Sequence, residues 1–489
     1  MKKIVYILLA GIVFSSCSND LSSLNNDEKN ASLVPSDVLF TSAERSLSDH
    51  MTSTSVNRNV FRLIVQQFTE TTYTDESNYD FVTRKISDNQ WTSLYAGTLA
   101  DLNLAKTKLE NETIPSNDPD IVNKTTIKNN KLAQINLLMA YTFQVLVDTN
   151  GDIPYSEALK EGSNYLPKYD KAVDVYKSLI VKVSDAVTKL NNSQSGFESA
   201  DVIYNGNIDK WIKFGNSLKL KLGINLLASN SENTIATQAI NTAISGGLIA
   251  SNSDNCKLPY MANLPNTNPL YVDLVASGRH DFVVTKTMVD KLISLNDPRR
   301  AIYTDNNPNG GIVGSSNSYS GSAKKTHVGS IIEDPTLSGN LLDYAEVEFL
   351  LAEAAEIGIT AAGSAASHYN NAIAASMEDW GVSSAEITTY LTQTSVNYST
   401  AAGTWQQKIG EQAWLALYNR GFQAWTSYRR LDFPVLVAPS GAQAAAEGKV
   451  PVRMAYPIRE QTLNPTNYNA ASTAIGGDKL TTKIFWDKF

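Results

Sequence analysis

The chain has 489 residues, of which 42% are hydrophobic and 18% are charged, a composition typical of a globular protein with a sizeable core. Its net charge is -8 at pH 7, and the sequence contains no long run of basic residues. A mildly acidic chain of this kind argues against nucleic acid and against an anionic membrane surface as binding partners.

The N-terminus predicts export from the cytoplasm. Lys2 and Lys3 precede an apolar run over residues 4–14, which is followed by two serines and Cys17. A basic segment before an apolar core too short to span a bilayer is typical of a secretory signal. Small residues before a cysteine also resemble a bacterial lipobox. We therefore expect residues 1–16 to be a signal peptide and Cys17 to be the lipid-attachment site; the alternative is an ordinary signal with an incidental cysteine.

A series of amphipathic helices is predicted after a short tether. The segment up to residue 35 is rich in Ser, Asn and Asp, which predicts a flexible linker. From there to about residue 245, apolar side chains recur every three or four positions. Helices in series favour a stack of helix pairs, although no 34-residue tetratricopeptide period is present. The predicted helices cover residues 56–71, 91–109, 126–147, 173–190, 208–227 and 234–244.

The middle of the chain has a different character. Residues 246–340 are rich in Asn, Ser, Gly and Pro and contain one predicted helix, at 284–295. Long ordered loops in a compact chain usually carry function. Helices return at residues 343–357 and 367–380. Alternating apolar residues over 452–458 then predict one short strand, and the apolar tail ending at Trp486 is predicted to dock on the body.

The strongest aromatic stripe of the chain lies between Trp405 and Pro434. Its spacing of three and four residues predicts one continuous helix of roughly five turns, which Pro434 ends. Such a stripe favours a buried core over a ligand surface. The members of the stripe are Trp414, Leu417, Tyr418, Gly421, Phe422, Trp425 and Tyr428.

The common catalytic and metal-binding motifs are missing from the sequence. Neither G-x-S-x-G nor G-x-x-x-x-G-K occurs, and the four histidines are widely separated, so we expect no catalytic residue, metal or cofactor. Asp148, Asn150 and Asp152 imitate a calcium loop but lack its glycine and glutamate, which favours a structural turn. Glu346 and Glu353 indicate a solvated helix face, although two glycosidase carboxylates can meet in space without a motif.

Several blocks, in order over nearly the whole chain, carry a family resemblance. They are the Ser-Ser-Cys17 leader, Trp91-Thr-Ser-Leu-Tyr95, Gly151-Asp-Ile-Pro-Tyr-Ser-Glu-Ala158, Phe214-Gly-Asn-Ser-Leu-Lys-Leu220, Tyr344-Ala-Glu-Val-Glu-Phe-Leu-Leu-Ala-Glu-Ala354, residues 410–434 and Arg453-Met-Ala-Tyr-Pro-Ile-Arg459. Together they resemble the SusD/RagB family of outer-membrane lipoproteins from Bacteroidetes-type bacteria.

The resemblance implies a mainly α fold with a tetratricopeptide-like helix-pair scaffold, a long loop-rich ligand-binding region and few short strands. One domain over residues 36–489 would follow a lipidated tether at 17–35, with the scaffold at about 36–245 and 341–434 and the loops at about 246–340. It also implies a protein that is not an enzyme. Such a protein sits on the cell surface, anchored to the outer membrane, and passes oligosaccharides or peptides to a SusC-like TonB-dependent transporter.

Loop residues with aromatic or hydrogen-bonding side chains are the candidate ligand contacts. Tyrosine faces stack on sugar rings or peptide groups, while Asn and Arg bind hydroxyls or carbonyls. For each tyrosine the alternative is that it packs its own loop, and two other functions stay open: a surface hydrolase of the same polymers, and a helical scaffold for protein interaction or adhesion. The candidates are Tyr73, Asn78, Tyr79, Tyr260, Tyr271, Arg279, Tyr303 and Tyr319.

Overall fold

Most of the chain between residues 36 and 489 is helical. The computed structural model describes residues 34–489, with gaps at 56, 58, 161 and 321–323. The predicted signal peptide, Cys17 and most of the predicted tether lie outside these residues. Ser36–Phe489 forms one unit by its internal contacts. None of the helices among the described residues is long and apolar enough to cross a membrane.

The helices are connected by loops and three short antiparallel ribbons. In the first half the elements are α1 (Ser36–Thr52), α2 (Phe61–Ile64), β1 (Phe68–Glu70), α3 (Ile86–Thr92), α4 (Ala100–Asn111), α5 (Ile121–Asn150), β2 (Ile153–Pro154), β3 (Tyr169–Asp170), α6 (Ala172–Lys189), α7 (Ile208–Ala228) and α8 (Asn233–Ser245). Ser93–Leu99, between α3 and α4, is a π-helix.

The second half begins with the loop-rich region and returns to helices. Its elements are β4 (Cys256–Leu258), α9 (Pro269–Tyr271), β5 (Phe282–Val284), α10 (Lys286–Ser294), α11 (Arg300–Tyr303), β6 (Gly339–Leu342), α12 (Tyr344–Glu356), α13 (Ala365–Asp379), α14 (Ser384–Thr392), α15 (Trp405–Ala416), α16 (Gly421–Leu431), α17 (Ile458–Leu463) and α18 (Pro465–Ala474). The ribbons pair β1 with β5, β2 with β3 and β4 with β6.

Long helices pack side by side in pairs. The pairs are α1 with α4, α5 with α6, α7 with α8, and α12 with α13. Contacts of α4 with α5, of α6 with α7 and of α7 with α12 join the four pairs into one stack, as in solenoid proteins. This arrangement confirms the predicted helix-pair scaffold.

Amphipathic periodicity explains why these helices form where they do. In α6 the buried residues Val175, Leu179 and Val183 recur at steps of four, which puts them on one face against α5 and α7. The last turn of α5 is tied to α6 by Asp148, whose carboxylate accepts a hydrogen bond from the buried Tyr176 hydroxyl. Asp152 accepts from the backbone N–H of Ala172 at 2.8 Å. Two carboxylates of the calcium-like sequence therefore join α5 to α6.

The predicted helix over residues 56–71 is wrong. Of the described residues in this range, only Phe61–Ile64 are helical, and Phe68–Glu70 is a strand paired with Phe282–Val284. All residues of both strands are buried. Apolar side chains at these positions therefore fit a buried ribbon as well as the buried face of a helix. The pairing partner lies more than two hundred residues away, which local periodicity does not detect.

The aromatic stripe is divided between two helices. α15 ends at Ala416, Asn419 takes a left-handed φ of 65°, and α16 starts at Gly421. Arg62 from α2 holds this break, because its Nε donates to Asn419 Oδ1 at 2.8 Å and its Nη2 donates to the Asn419 carbonyl at 2.6 Å. A Cβ on Gly421 would lie 2.4 Å from the Arg62 backbone nitrogen. The predicted single helix is therefore wrong, but the predicted buried core is confirmed.

The segment at residues 452–458 is also not a strand. Met454 donates its N–H to Thr149 O at 2.9 Å and Val452 donates to Leu480 O at 2.9 Å, and Ile458 begins α17. Because its backbone bonds go to two unrelated segments, this stretch forms no strand ladder. The tail does dock, since Ile484 and Trp486 are buried.

The carboxylates of α12 are buried, which corrects the predicted solvated face. Glu346 and Glu353 are 6% and 4% exposed. Glu346 pairs with Lys221 at 2.9 Å and with Arg420 at 2.6 Å. Both carboxylate oxygens of Glu353 lie 2.9 Å from Arg430 Nε, which shares its single N–H between them. Charged residues at core positions are tolerated here because each has an opposite charge against it.

Candidate ligand-binding site

The β1–β5 ribbon carries the candidate site at its open end. Phe68 packs edge-on against Tyr418 of the aromatic stripe, 5.6 Å between ring centroids. Beside the ribbon, Gln67 donates to the carbonyls of Trp414 and Leu417. Pairing continues past the strands, because Thr71 N–H donates to Asp281 O at 2.8 Å. The stripe thus holds a rigid ribbon whose end, residues 71–73 and 279–281, we call the ribbon tip.

One side of the ribbon tip is an open polar cleft of ≈ 270 Å³, which we call the arginine cleft. Arg279 Nε donates to Asp281 at 2.7 Å, while Arg84 pairs with Glu76 at 2.5 Å. The Tyr73 ring is 62% exposed. Two guanidinium groups, one free aromatic face and carboxylate oxygens therefore converge within one opening. The lining residues are Asn57, Glu70, Tyr73, Arg84, Arg279 and Asp281.

Two neighbouring carboxyl groups at the cleft, those of Glu70 and Glu76, are removed from solvent. Burial raises the pKa of Glu70 to about 8; the Ser77 backbone N–H opposes this shift and the neighbouring Glu76 adds to it. Burial also raises the pKa of Glu76, while Arg84 acts against the shift. The raised pKa favours the protonated form of Glu70 over its carboxylate. In contrast, the hydrogen bond and the charge of Asp281 raise the pKa of the exposed Arg279 guanidinium.

The other side of the ribbon tip carries three stacked rings, which we call the ring stack. His280 lies parallel to Tyr319 with 3.9 Å between centroids and a 3° tilt, and Tyr319 lies parallel to His327 at 3.9 Å and 2°. Side chains alternate along an extended chain, so His280 and Asp281 leave it on opposite sides. His327 Nε2 lies 2.7 Å from Tyr319 O, and Asp305 lies 3.8 Å from its Nδ1.

The candidates that the structure brings to the ribbon tip are Tyr73, Arg279 and Tyr319. Asn78 lies close by but is half-buried and holds two backbones together, because its Nδ2 donates to Thr74 O at 2.8 Å and to Gly314 O at 2.7 Å. Tyr271 is half-buried at the end of α9, outside the arginine cleft.

The three remaining candidates are core residues in this structure. Tyr79 is 1%, Tyr260 6% and Tyr303 0% exposed. Tyr303 stacks on Tyr418 at 4.1 Å and 13°, and the Tyr260 hydroxyl donates to Asp49 at 2.8 Å. A large ring gains more from burial than a loop position suggests, and Tyr260 and Tyr303 accordingly pack against other segments of the protein, while the nearly buried Tyr79 lies in the wall of a second cleft.

Sequence reasoning missed Arg84, Glu70, Asp281, Asn57 and His280. For His280 and Asp281 a signal was present. Together with Arg279 they form three consecutive polar residues directly before an apolar run, where a strand emerges from the core. Arg84 and Asn57 carried no such signal, because they reach the cleft from separate loops.

A second, larger cleft of ≈ 560 Å³ lies between residues 79–88 and 443–480. Its main polar groups already have partners within the protein. Asp88 accepts from the Ile458 N–H at 3.0 Å and from Arg459 Nε at 3.0 Å, and Asp478 accepts from Arg453 at 2.7 Å. The arginine cleft is the better candidate because its tyrosine ring is open: Tyr73 is 62% exposed, whereas Tyr79 and Tyr456 in the larger cleft are each 1% exposed and Tyr468 is half-buried.

The fold and site together define a helical-repeat protein with an open, loop-borne polar and aromatic site. A family model for SusD-like proteins, described as "Starch-binding associating with outer membrane", matches residues 28–457. The chain therefore belongs to the SusD-like family, as the sequence blocks predicted.

Solved structures agree over nearly the full length. A chitin-binding protein is 25% identical with a TM-score of 0.78, covering 93% of this chain and 100% of that chain. A SusD homolog from Bacteroides uniformis is 25% identical with a TM-score of 0.73, covering 92% and 99%. A chitin-binding SusD homolog from Flavobacterium johnsoniae shares the fold at 21% identity, a TM-score of 0.76 and coverage of 92% and 98%. None of the curated proteins compared with the chain matches it.

Proposed function

We propose that this protein is a non-catalytic, cell-surface lipoprotein that captures glycans and delivers them to a SusC-type TonB-dependent transporter. In this proposal Cys17 carries the lipid that holds it on the outer membrane. The observation that carries the proposal is the arginine cleft, an open polar site with a free tyrosine ring on a chain of the SusD-like family. The chitin-binding relatives support a carbohydrate ligand.

The chemistry of the cleft suits a neutral, hydroxyl-rich ligand. The two arginines are balanced by their own acids, Asp281 for Arg279 and the pair Asp75 and Glu76 for Arg84. Guanidinium N–H groups donate and carboxylate oxygens accept, as sugar hydroxyls require, and the Tyr73 face suits the apolar side of a pyranose. At ≈ 270 Å³ the cleft is just below the range of about 300–1,000 Å³ common for small-molecule sites, so we expect it to hold a short segment of a longer chain.

Calorimetry with defined probes tests this function. Purified protein is titrated with chitohexaose, with maltoheptaose and with a soluble peptide mixture. We expect saturable binding of at least one glycan, and binding of the peptides alone would replace the glycan with a peptide ligand. Binding of none of the probes would contradict the proposed capture role.

Two variants locate the site. Tyr73→Ala removes the free ring and should weaken glycan binding by roughly three- to tenfold. Arg279→Ala removes charged hydrogen-bond donors and should weaken it by roughly ten- to a hundredfold. The matched controls are Tyr165→Ala, a ring 82% exposed elsewhere, and Lys286→Ala, a cation in another surface pair. If the controls weaken glycan binding as much as the variants do, the ligand does not bind in the arginine cleft.

A hydrolase is the second candidate, because one observation favours it. Glu70 lines the cleft with Asp281, and burial raises the pKa of its carboxyl group, as in the general acid of glycoside cleavage. Against this, Glu70 is 3% exposed and its Oε2 accepts the Ser77 N–H at 2.9 Å. Incubation with chitohexaose and maltoheptaose should release no new reducing ends; turnover abolished by Glu70→Gln would establish the hydrolase.

The transporter is proposed from the family and has its own test. Pull-down of the lipidated protein from outer membranes of its host should recover a large TonB-dependent barrel protein in a fixed ratio. Recovery of the binding protein alone, with glycan binding intact, would reject the delivery role and leave the capture role standing.

A further inference from the structure

His280 presents an open ring face that none of the sequence predictions used. His280 is exposed, and one face of its ring is covered by Tyr319 at 3.9 Å. Among the residues that the structure describes no second ring stacks on His280, which leaves the outer face and the edge of the imidazole for a ligand. We propose that His280 contacts the captured glycan directly, as a stacking platform for a pyranose ring beyond the arginine cleft. This inference rests on the proposed glycan-binding function.

The ring stack excludes Tyr319 as the platform. Its ring is sandwiched, with His280 on one face and His327 on the other, each at 3.9 Å and nearly parallel. No sugar can reach either face while the stack is intact. Tyr319, a predicted ligand contact, is instead a positioning residue that acts through His280.

The stack also fixes the platform in advance of binding. The Thr71 hydroxyl donates to His280 O at 2.9 Å and ties the residue to the ribbon tip. At the far end, His327 Nε2 bonds Tyr319 O, so the third ring is locked against the second. A side chain held before binding loses little conformational entropy when the ligand arrives. A free surface histidine lacks this advantage.

The imidazole suits a carbohydrate in two ways. Its flat outer face accepts the apolar C–H face of a pyranose, as other aromatic faces do. Its ring nitrogens can donate to or accept from a hydroxyl at the edge. Because His280 and Asp281 leave the chain on opposite sides, His280 would contact a different sugar unit from the one in the arginine cleft.

The test combines calorimetry with a double-mutant cycle, using the glycan that wild-type protein binds, chitohexaose or maltoheptaose. His280→Ala should weaken binding by roughly five- to tenfold, whereas His280→Trp keeps a flat face and should bind at least as well as wild type. Tyr319→Leu removes the spacer and should also weaken binding. In the double variant Tyr319→Leu should add nothing to His280→Ala, because it acts only through that ring.

Thermal melting and NMR separate contact from structure. His280→Ala should melt within a few degrees of wild type, since the residue is exposed. The chain has four histidines, so the imidazole spectrum is simple, and the resonance lost in His280→Ala should shift when glycan is added. Tyr165→Ala is the exposed-ring control and should change neither affinity nor spectrum.

Unchanged affinity of His280→Ala would overturn the inference while leaving the capture function intact. So would a loss that His280→Trp does not rescue, or a double variant weaker than His280→Ala by the full effect of Tyr319→Leu. If wild-type protein binds neither glycan, this inference fails together with the proposed glycan ligand, and the capture role itself fails if the peptides do not bind either.

Discussion

Replacement of Trp425 by alanine should destabilise the protein without affecting the ligand site directly. Trp425 is 0% exposed and lies in α16 at the centre of the aromatic stripe. Its ring centroid is 5.0 Å from that of Phe61, and the Arg429 guanidinium lies 3.5 Å over its face. Its Nε1 donates to Pro451 O at 2.7 Å. The side chain thus joins α2, α16 and the segment that leads to α17.

The expected loss follows from these contacts. Truncation of a buried tryptophan costs about 3–5 kcal/mol through lost transfer energy and the cavity left behind. The Pro451 carbonyl then lacks its partner, at about 1–3 kcal/mol, and the cation–π contact with Arg429 is lost, at about 0.5–2 kcal/mol. These contributions share neighbours and do not add fully, so we expect about 5 kcal/mol in total. Native stabilities are about 5–15 kcal/mol, and the variant should be close to unfolding at room temperature.

Urea unfolding followed by circular dichroism measures the loss. Trp425→Phe keeps a ring and should lie between wild type and Trp425→Ala. Trp405→Ala is the matched control, because Trp405 belongs to the same segment but is only half-buried, and it should cost less than about 2 kcal/mol. A Trp425→Ala protein that melts like wild type but no longer binds glycan would refute the reasoning, because the stripe would then be a binding surface.

Other predictions test the buried charges and the N-terminus. Glu346→Gln leaves the buried cations of Lys221 and Arg420 without full compensation and should destabilise by about 3–5 kcal/mol in urea unfolding; a loss below about 1 kcal/mol would show that these charges are solvated after all. For Glu70 the folded pKa of about 8 lies above its ordinary value of 4.5, so the unfolded state loses the proton first and wild-type stability should fall as pH rises from about 4.5 to about 8. The Glu70→Gln variant should lack this pH dependence, so its stability relative to wild type should increase toward pH 8. Parallel stability curves for the two proteins would contradict the raised pKa of Glu70. Cys17→Ala should abolish membrane attachment, and a variant that still sediments with outer membranes would disprove the lipid anchor.

The sequence by itself determined the long helices of the scaffold. The helices predicted over residues 126–147, 173–190, 208–227 and 234–244 are α5 to α8, with ends displaced by a few residues. Their periodicity is a local property, because each apolar face is formed by side chains three and four positions apart in the sequence. The loop-rich character of residues 246–340 was equally readable, from its Gly, Pro and Asn content.

The tertiary structure decided every feature that joins distant segments. Residues 68–70 became a strand only because residues 282–284 pair with them. At the break in the stripe, Arg62 donates to the Asn419 carbonyl, which an unbroken helix would have bonded within itself, and also to the Asn419 side chain. Neither partner, residues 282–284 in one case and Arg62 in the other, can be identified from the local sequence around residues 68–70 or Asn419.

The same limit applies to the candidate site. The sequence named eight possible contacts, but exposure separates Tyr73 and Arg279 at the ribbon tip from the buried Tyr79, Tyr260 and Tyr303. Burial of a loop tyrosine depends on which segment folds over it, and that information is spread along the chain. The kinds of side chain that bind a glycan were therefore readable from the sequence, whereas packing alone decided which of them face solvent.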